Sequence, residues 1–312
     1  MQVIDDLTQA KLHGPSVVTV GSYDGVHIGH QHLLARMKEV ANQLGYYTAL
    51  VTFYPQPKAV LAPHLSIRYL TTPAQKITLL DALGLDLTAI LPFTRETAQT
   101  SAAEFVKQLV THLKMRQLWV GPDFALGRNR EGDIPRLRQL GQEMGFEVHV
   151  VEPFIRDGEV VSSTRIRHLL MRGEIREATA LLGRYPSLIG QVMQGAQRGR
   201  LLGFPTANLS ILPERAIPAD GVYACFVWVD GERHAAVTNV GVRPSFAGAE
   251  RTVETHLLNF NGDLYGLDLK LEFVERLRPE KRFENLDELV AQIRSDAERA
   301  AKLLAKESPD QI

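Results

Sequence analysis

The chain has 312 residues, 45% of them hydrophobic and 23% charged, with a formal net charge of −1 at pH 7. This length favours two domains, and the near-neutral charge argues against a nucleic-acid partner. The single cysteine excludes an intrachain disulfide. The first residues lack the pattern of a signal peptide, and no apolar run approaches the ~20 residues of a membrane helix. We therefore expect a cytoplasmic protein with no membrane partner.

Strand-like and helix-like patterns alternate through the first half of the chain. The run SVVTVGS at 16–22 predicts a strand, and apolar residues at helical spacing predict a helix over 30–45 that closes on a glycine. Thr72, followed by Pro73, has the features of a helix cap. The alternation continues through YYTALVTF, LTAILPF, SAAEFVKQLVTHL, QLWVG, DIPRLRQLGQEMG and FEVHVVEPF. It predicts an α/β domain with a parallel, Rossmann-like sheet, whose ligands bind at the carboxyl ends of the strands.

The second half changes character after the segment EATALLGRYP at 177–186. Strand-like runs now follow one another directly: SLIGQVM, GVYACFVWVD, RHAAVTNVG, TVETHLLNF and LDLKLEFVERL. Only the end of the chain, from NLDEL onwards, has the pattern of a long helix. This order predicts a small antiparallel β-barrel domain with a C-terminal helix. We place the boundary so that the domains span 1–184 and 185–312.

The stretch VGSYDGVHIGHQHLL at 20–34 contains two histidines three residues apart, His27 and His30. Zinc is disfavoured because the histidines have no cysteine partners. The stretch follows a predicted strand and opens a helix, whose free N–H groups suit phosphate, and Gly29 allows a close approach. Two imidazoles there can donate hydrogen bonds to phosphate oxygens. We interpret the stretch as a nucleotide triphosphate site without a Walker lysine, with His32 as a helix surface residue.

A second phosphate element is predicted in the stretch VVSSTRIRHLL at 160–170. The Ser-Ser-Thr run can cap a helix, and Arg165 and Arg167 fall in its first turns. Hydroxyls, N–H groups and an arginine at a helix start form an anion clamp. Taken alone, the stretch is more typical of a simple helix cap with surface arginines. Because it occurs in the same predicted domain as the H-x-G-H stretch, the phosphate interpretation is favoured.

The loop GPDFALGRNREGD at 121–133 follows another predicted strand. It is rich in glycine and charge, and it contains Asp123 and Phe124. An aromatic and polar loop of this kind can hold a planar ligand at the carboxyl edge of a parallel sheet. An ordinary surface loop is the alternative interpretation.

The stretch GQVMQGAQRGRLLGFPTANL at 190–209 is the most specific in the second half. Its glycines surround Arg198 and Arg200, and the backbone N–H groups of such a loop can cradle phosphates. Thr206 and Asn208 then offer a hydroxyl and an amide oxygen. Both are hard oxygen donors of the kind that a magnesium–nucleotide complex uses.

One carboxylate, Glu254, interrupts the strand-like run TVETHLL. At an exposed strand position it is an ordinary surface residue. If it points into the mouth of the barrel, it is placed as a general base for a hydroxyl nucleophile. The upstream segment VTNVGVRPSF at 237–246 contains Asn239, a further polar candidate for contact with a ligand.

These motifs resemble those of a known family. The first half carries, in order, the patterns G-x-[FY]-D-G-V-H-x-G-H-Q, G-x-D-F-x-x-G-x-x-R-x-G-D and S-S-T-x-x-R. In this it resembles the adenylyltransferase module of the bacterial bifunctional riboflavin kinase/FMN adenylyltransferase (FAD synthetase) family. The second-half motifs resemble its riboflavin kinase module. The resemblance covers roughly residues 17–304, with both motif sets in the expected order.

The resemblance implies two reactions: ATP phosphorylates riboflavin to FMN, and a second ATP adenylylates FMN to FAD with release of pyrophosphate. It implies ATP as co-substrate, Mg²⁺ as cofactor, no permanently bound metal cluster, and no partner beyond riboflavin, FMN and ATP. The oligomeric state stays open. The implied residues are Glu254, His27 and His30 for catalysis; Gly21, Asp24, Gly29, Ser163, Thr164, Arg167, Gly195, Gly199 and Arg200 for ATP and phosphate; Asp123, Phe124 and Asn239 for flavin; Thr206 and Asn208 for metal.

The first module departs from the family pattern at four positions. Tyr23 stands in place of the more usual phenylalanine, Leu126 replaces another, Pro122 stiffens the middle loop, and Val160 occupies a position where relatives place arginine. These departures keep one alternative open, a kinase whose adenylyltransferase domain is slow or silent. A second alternative is a flavin-binding regulator without catalysis. The intact kinase motifs and the lack of a helix-turn-helix pattern argue against it.

Overall fold

The structure is a computed structural model that describes residues 1–195, 199, 202–245 and 248–307. The chain forms two compact units, Met1–Ser163 and Thr164–Ile312. The functional boundary at 184/185 stays a prediction.

The first unit is built on a six-stranded sheet with the order β1-β4-β3-β2-β5-β6. All of its pairings are parallel, which confirms the predicted α/β class. Every residue of β2 is buried, as expected for a strand covered on both faces. The strands are β1 (Gln2–Ile4), β2 (Ser16–Val20), β3 (Tyr47–Tyr54), β4 (Leu87–Pro92), β5 (Met115–Val120) and β6 (Glu147–Val150).

The helices of this unit begin and end with local signals that the sequence carries. Thr72 and Gln75 form a reciprocal capping box, with Pro73 in the first turn. Gly45 ends the first helix with a φ of 67°. The helices are α1 (Ile28–Leu44), α2 (Pro57–Leu61), α3 (Pro73–Ala82), α4 (Ala102–Leu113) and α5 (Ile134–Met144); a short hairpin of β7 (Ile155–Arg156) and β8 (Glu159–Val160) follows.

The order in which the chain adds strands to the sheet reverses at β2. The chain runs from β2 through β3 to β4 on one side, and then returns to place β5 and β6 on the other. In such doubly wound sheets the ligand crevice lies at the carboxyl ends of the two strands that flank this switch point, here β2 and β5. The histidine stretch follows β2 and the 121–133 loop follows β5, so the topology brings both to this edge.

The second unit is a closed antiparallel barrel with the strand order β10-β13-β12-β11-β14-β9, which confirms the predicted barrel. One face of β11 points into the barrel, and Ala224 and Phe226 on its other face pack with Ala300 and Leu304 of the last helix. The strands are β9 (Ser187–Met193), β10 (Ala207–Ser210), β11 (Gly221–Val229), β12 (Glu232–Ser245), β13 (Gly248–Leu257) and β14 (Asp268–Arg278); the helices are α6 (Ser163–Arg172), α7 (Ile175–Leu182) and α8 (Leu286–Leu304).

Candidate active sites

His27 and His30 lie at the start of α1, directly after the loop that leaves β2. This loop, Gly21–His27, is called the site loop. His27 is the N-cap of α1, and its Nδ1 atom accepts a hydrogen bond from the backbone N–H of His30 at 3.3 Å. The proton of the neutral His27 ring therefore lies on Nε2. That nitrogen can donate to a phosphate oxygen at the start of the helix, where the helix dipole also favours an anion.

The two imidazole rings are stacked, with centroids 3.6 Å apart and an interplanar angle of 17°. Gly29 leaves room for the His27 ring, because a Cβ there would lie in a tight contact, 3.2 Å from Nδ1 of His27. The H-x-G-H spacing thus packs both rings over one turn of helix.

The ring of Tyr23 is anchored in the core. It is 3% exposed, and its hydroxyl lies 2.5 Å from Oγ1 of Thr19. Thr19 donates its own proton to the carbonyl oxygen of Trp119 at 2.7 Å, so the Tyr23 hydroxyl is the donor to Thr19. Burial raises the pKa of Tyr23 well above its usual range, and the phenol stays neutral. Gly21 leaves room for this ring, since a Cβ there would lie 3.0 Å from it.

Asp24 is fully buried, and its carboxylate accepts hydrogen bonds from the backbone N–H groups of Leu70 and Thr71 at 3.0–3.2 Å. The Thr71 hydroxyl also accepts from the N–H of Gly25 at 3.2 Å. The carbonyl oxygen of Asp24 accepts from the Ser163 hydroxyl at 2.8 Å. These contacts tie the site loop to segment 70–71 and place Ser163 beside it. The predicted role of Asp24 in ATP binding stays a prediction.

A buried lysine, Lys76, stands behind the site loop. Its ammonium group donates to the carbonyl oxygen of Ser22 at 2.7 Å and lies 3.3 Å from Oγ1 of Thr52. The sequence analysis missed this residue because it lies within α3, 54 positions after its main partner. Its one available signal is a lysine on the apolar side of a helix, next to Leu80, which is also buried.

Thr164 and Arg167 occupy the first turns of α6 in the second unit. Thr164 is exposed, Arg167 is half-buried, and Nη1 of Arg167 lies 3.5 Å from Oγ1 of Thr164. A hydroxyl and a guanidinium thus lie side by side at a helix start, as an anion clamp requires. Their role toward ATP stays a prediction.

Residues of the 121–133 loop have different surroundings. Asp123 is exposed, and its carbonyl oxygen accepts a hydrogen bond from Arg130 at 2.8 Å. Phe124 is half-buried and packs against the core of the first unit. Flavin contacts of both residues stay predictions.

In the barrel, three predicted site residues lie side by side on neighbouring strands. Glu254 of β13 is paired in register with Asn208 of β10 on one side and with Asn239 of β12 on the other. Side chains directly opposite one another in antiparallel strands have Cβ atoms about 4.5–5.5 Å apart. The sequence neighbours of Glu254, Val253 and Thr255, are buried. Glu254 therefore does not point into the barrel interior; it is half-buried on the outer face of the barrel wall, beside Asn208 and Asn239. Its role as a base stays a prediction.

Two glycines fit closely against the predicted metal ligands. A Cβ at Gly195 would overlap the amide of Asn208, and a Cβ at Gly199 would overlap the carbonyl oxygen of Phe204 and lie 3.4 Å from Oγ1 of Thr206. The backbone at Gly195 therefore lies directly beside Asn208, and the backbone at Gly199 lies beside Thr206. Arg198 and Arg200 lie outside the described residues.

His256 is a further residue of this face that the sequence analysis missed. It stands two positions after Glu254 on β13, and therefore on the same face of the strand. Its Nδ1 atom donates to the carbonyl oxygen of Pro205 at 2.8 Å, and its ring meets that of Phe204 edge-on at 5.6 Å. It supports the turn that precedes Thr206. The motif TVETH contained the residue, but nothing in the sequence indicated its partner.

Comparison with known proteins decides the family. A family model described as FAD synthetase matches residues 9–165, and one described as riboflavin kinase matches residues 182–304. The bifunctional riboflavin kinase/FMN adenylyltransferase of Pseudomonas fluorescens is 40% identical over 295 residues, covering 94% of each chain. The Escherichia coli K12 protein of the same name is 36% identical over 308 residues, covering 98% of each. The chain belongs to the bifunctional riboflavin kinase/FMN adenylyltransferase family.

A solved structure from Streptococcus pneumoniae, described as a macrolide-efflux protein, has a TM-score of 0.88 and 30% identity and covers 96% of this chain and 98% of its own. That description differs from the names of the curated relatives, and the family assignment rests on the latter and on the two family models. Among the described residues, no helix is long and apolar enough to cross a membrane.

Three of the four departures from the family pattern in the first module are accommodated by the fold. The hydroxyl that distinguishes Tyr23 from phenylalanine has its partner in Thr19. Leu126 is 8% exposed and belongs to the core of the unit, where its backbone pairs with Gly132. Val160 is 49% exposed in the β7–β8 hairpin. None of the three leaves a buried polar group without a partner.

The residues of the barrel fit a magnesium–nucleotide complex. The described residues contain no group of three or more His, Cys, Asp or Glu side chains placed to hold a metal ion. Mg²⁺ at nucleotide sites, however, usually takes one or two protein oxygens and completes its shell with phosphate and water. Thr206 and Asn208 offer such oxygens beside the backbone of Gly199 and Gly195, and magnesium binding by them stays a prediction.

Proposed function

We propose that the chain makes FMN from riboflavin and ATP in its barrel unit, and makes FAD from FMN and a second ATP with the H-x-G-H site of its first unit. The observation that carries the proposal is the pairing of Glu254 with Asn208 and Asn239 on three adjacent strands, in a chain matched by both family models. The proposed substrates are riboflavin, FMN and ATP, and neither reaction requires a nucleic acid or a membrane.

In the kinase step, Glu254 takes the proton of the terminal ribityl hydroxyl of riboflavin. The hydroxyl oxygen forms a bond to the γ-phosphorus of ATP, and the bond from that phosphorus to the β,γ-bridging oxygen breaks, releasing ADP. Asn239, which is paired in register with Glu254, is proposed to hydrogen-bond the flavin substrate. The glycine loop presents backbone N–H groups to the phosphates.

Thr206 and Asn208 would hold Mg²⁺ with the ATP phosphates. A magnesium ion bound there supplies positive charge to the phosphate oxygens. His256 keeps the Phe204–Pro205 turn in place, and with it the position of the Thr206 hydroxyl.

In the adenylyl-transfer step, a phosphate oxygen of FMN forms a bond to the α-phosphorus of ATP, and the bond to the α,β-bridging oxygen breaks with release of pyrophosphate. FMN phosphate is already ionised near neutral pH, so the step needs no protein base. His27 donates from Nε2 to oxygens whose charge grows in the transition state, and the start of α1 adds its N–H groups.

The test is a product assay. Purified protein is incubated with riboflavin, ATP and MgCl₂, and the flavins are separated by chromatography over time, with EDTA as the metal control. The proposal predicts FMN first and FAD later, with both lost in EDTA. FMN alone would support the alternative in which the first unit is silent. Neither product would contradict the proposal.

A further inference from the structure

The site loop has a backbone conformation that needs support from outside the loop. Tyr23 and Val26 have φ values of 45° and 39°, and Gly25 has 81°. Positive φ is unfavourable for any residue with a Cβ and most unfavourable for a β-branched one such as Val26. Contacts with neighbouring segments must therefore hold the loop in the conformation that delivers His27 to the start of α1.

Lys76 makes a side-chain contact with the site loop at Ser22, two residues after the end of β2. It is 5% exposed, on the first turns of α3. The Ser22 carbonyl oxygen accepts from the Lys76 ammonium at 2.7 Å and from the Thr52 hydroxyl at 3.0 Å. Thr52 belongs to β3, the neighbour of β2. A buried cation thus joins the site loop, a central strand and a helix at one carbonyl group.

Lys76 also compensates the buried negative charge of Asp24 in the site loop. Asp24 is completely buried, and a buried carboxylate is tolerated only when hydrogen bonds and opposite charge compensate it. Segment 70–71 supplies the hydrogen bonds, and Lys76, which follows that segment, interacts electrostatically with Asp24. One side of the loop is therefore held by a single structural unit, the segment 70–76.

We infer that Lys76 is a positioning residue for the proposed adenylyl transfer: its ammonium group fixes the site loop so that His27 and the start of α1 meet the phosphates in the reactive geometry. The inference rests on the proposed function. Lys76 has no need to touch ATP in this role, because it acts through the Ser22 carbonyl and Asp24.

The protonation state of Lys76 gives the inference a pH signature. Burial lowers the pKa of Lys76 to about 8, and the negative charge of Asp24 partly opposes this shift. The ammonium charge is therefore lost as the pH rises through about 8. Tyr23 on the same loop stays neutral there because burial raises its pKa. FAD formation should decline on the alkaline side with the titration of Lys76.

The experiment compares Lys76→Met with Lys38→Met in the full-length chain. Lys38 is the matched control, since its ammonium donates to a backbone carbonyl, that of Leu83, at 3.0 Å in the same unit but away from the site loop. FAD formation is measured from supplied FMN and ATP between pH 6.5 and 9.5, and FMN formation from riboflavin in the same preparations reports on the barrel unit.

We expect Lys76→Met to lower kcat for FAD formation about 10–100-fold, to abolish the alkaline decline near pH 8, and to leave FMN formation within twofold. Lys38→Met should match the wild type in both reactions. Because Lys76→Met could unfold the first unit, its near-UV circular dichroism is compared with that of the wild type, and the wild-type pH profile is a test without any variant.

Wild-type FAD formation that stays level from pH 7 to 9.5 would overturn the inference. So would a folded Lys76→Met protein with wild-type kcat, and both results would leave the proposed function standing. A wild type that converts riboflavin to FMN but never makes FAD would overturn the proposed adenylyl transfer and this inference with it.

Discussion

His27 has a structural role and a proposed catalytic role, and substitution by alanine would remove both at once. Its Nδ1 atom caps α1, and its Nε2 atom is proposed to donate to phosphate. Asparagine is among the best N-cap residues and has no imidazole, whereas alanine provides neither function. We expect His27→Asn and His27→Ala to lose FAD formation alike. Only His27→Ala should also lose stability, by about 0.5–2 kcal/mol, measured by urea unfolding.

In the barrel unit, the proposed catalytic residue is Glu254. Glu254→Gln keeps the size of the side chain and removes its basicity, so FMN formation should fall about 10²–10⁴-fold, the usual contribution of a general base. FAD formation from supplied FMN should be unchanged. Glu232→Gln, at an exposed position on the neighbouring strand β12, is the control and should leave both rates unaltered. Equal rates for Glu254→Gln and wild type would show that another group takes the proton.

At the scale of elements, Gly195 lies so close to Asn208 of β10 that its position has no room for a side chain. A methyl group there would overlap the Asn208 amide and push it from its place beside Glu254. We expect Gly195→Ala to slow FMN formation and raise the KM for ATP. The measurement is a double-mutant cycle with Asn208→Ala.

Once the Asn208 amide is gone, the added methyl group should have little further effect. Additive losses in the double variant would mean that Gly195 matters for its backbone conformation instead of for the space that it leaves to Asn208.

The periodic elements were predictable because their signals are local. The helix that begins after Thr72 and the strand at 16–20 are specified by caps and apolar runs within a few residues. The strands β1, β7 and β10, which have two to four residues each, were missed because their own residues show no clear period. Lys76 and His256 were missed for another reason: their partners, Ser22 and Pro205, are brought to them only by the folded topology.

At the scale of the whole molecule, the proposed kinase residues lie in the second unit and the histidine pair lies in the first. The kinase step needs a base that takes a proton from a hydroxyl group. The adenylyl-transfer step needs hydrogen-bond donors to phosphate oxygens instead, so the two steps are proposed to use separate sites. FMN is the product of one site and the substrate of the other. A defect confined to one site should therefore block one reaction and leave the other intact.

Mixing two single-site variants tests whether FMN passes through solution. Glu254→Gln alone should make FAD from FMN but not from riboflavin, and His27→Asn alone should accumulate FMN. Because FMN released by His27→Asn can bind the intact first unit of Glu254→Gln, the mixture should convert riboflavin to FAD with a lag that shortens as protein concentration rises. Accumulation of FMN in the mixture, without FAD, would mean that FMN made in one chain does not reach the site of another.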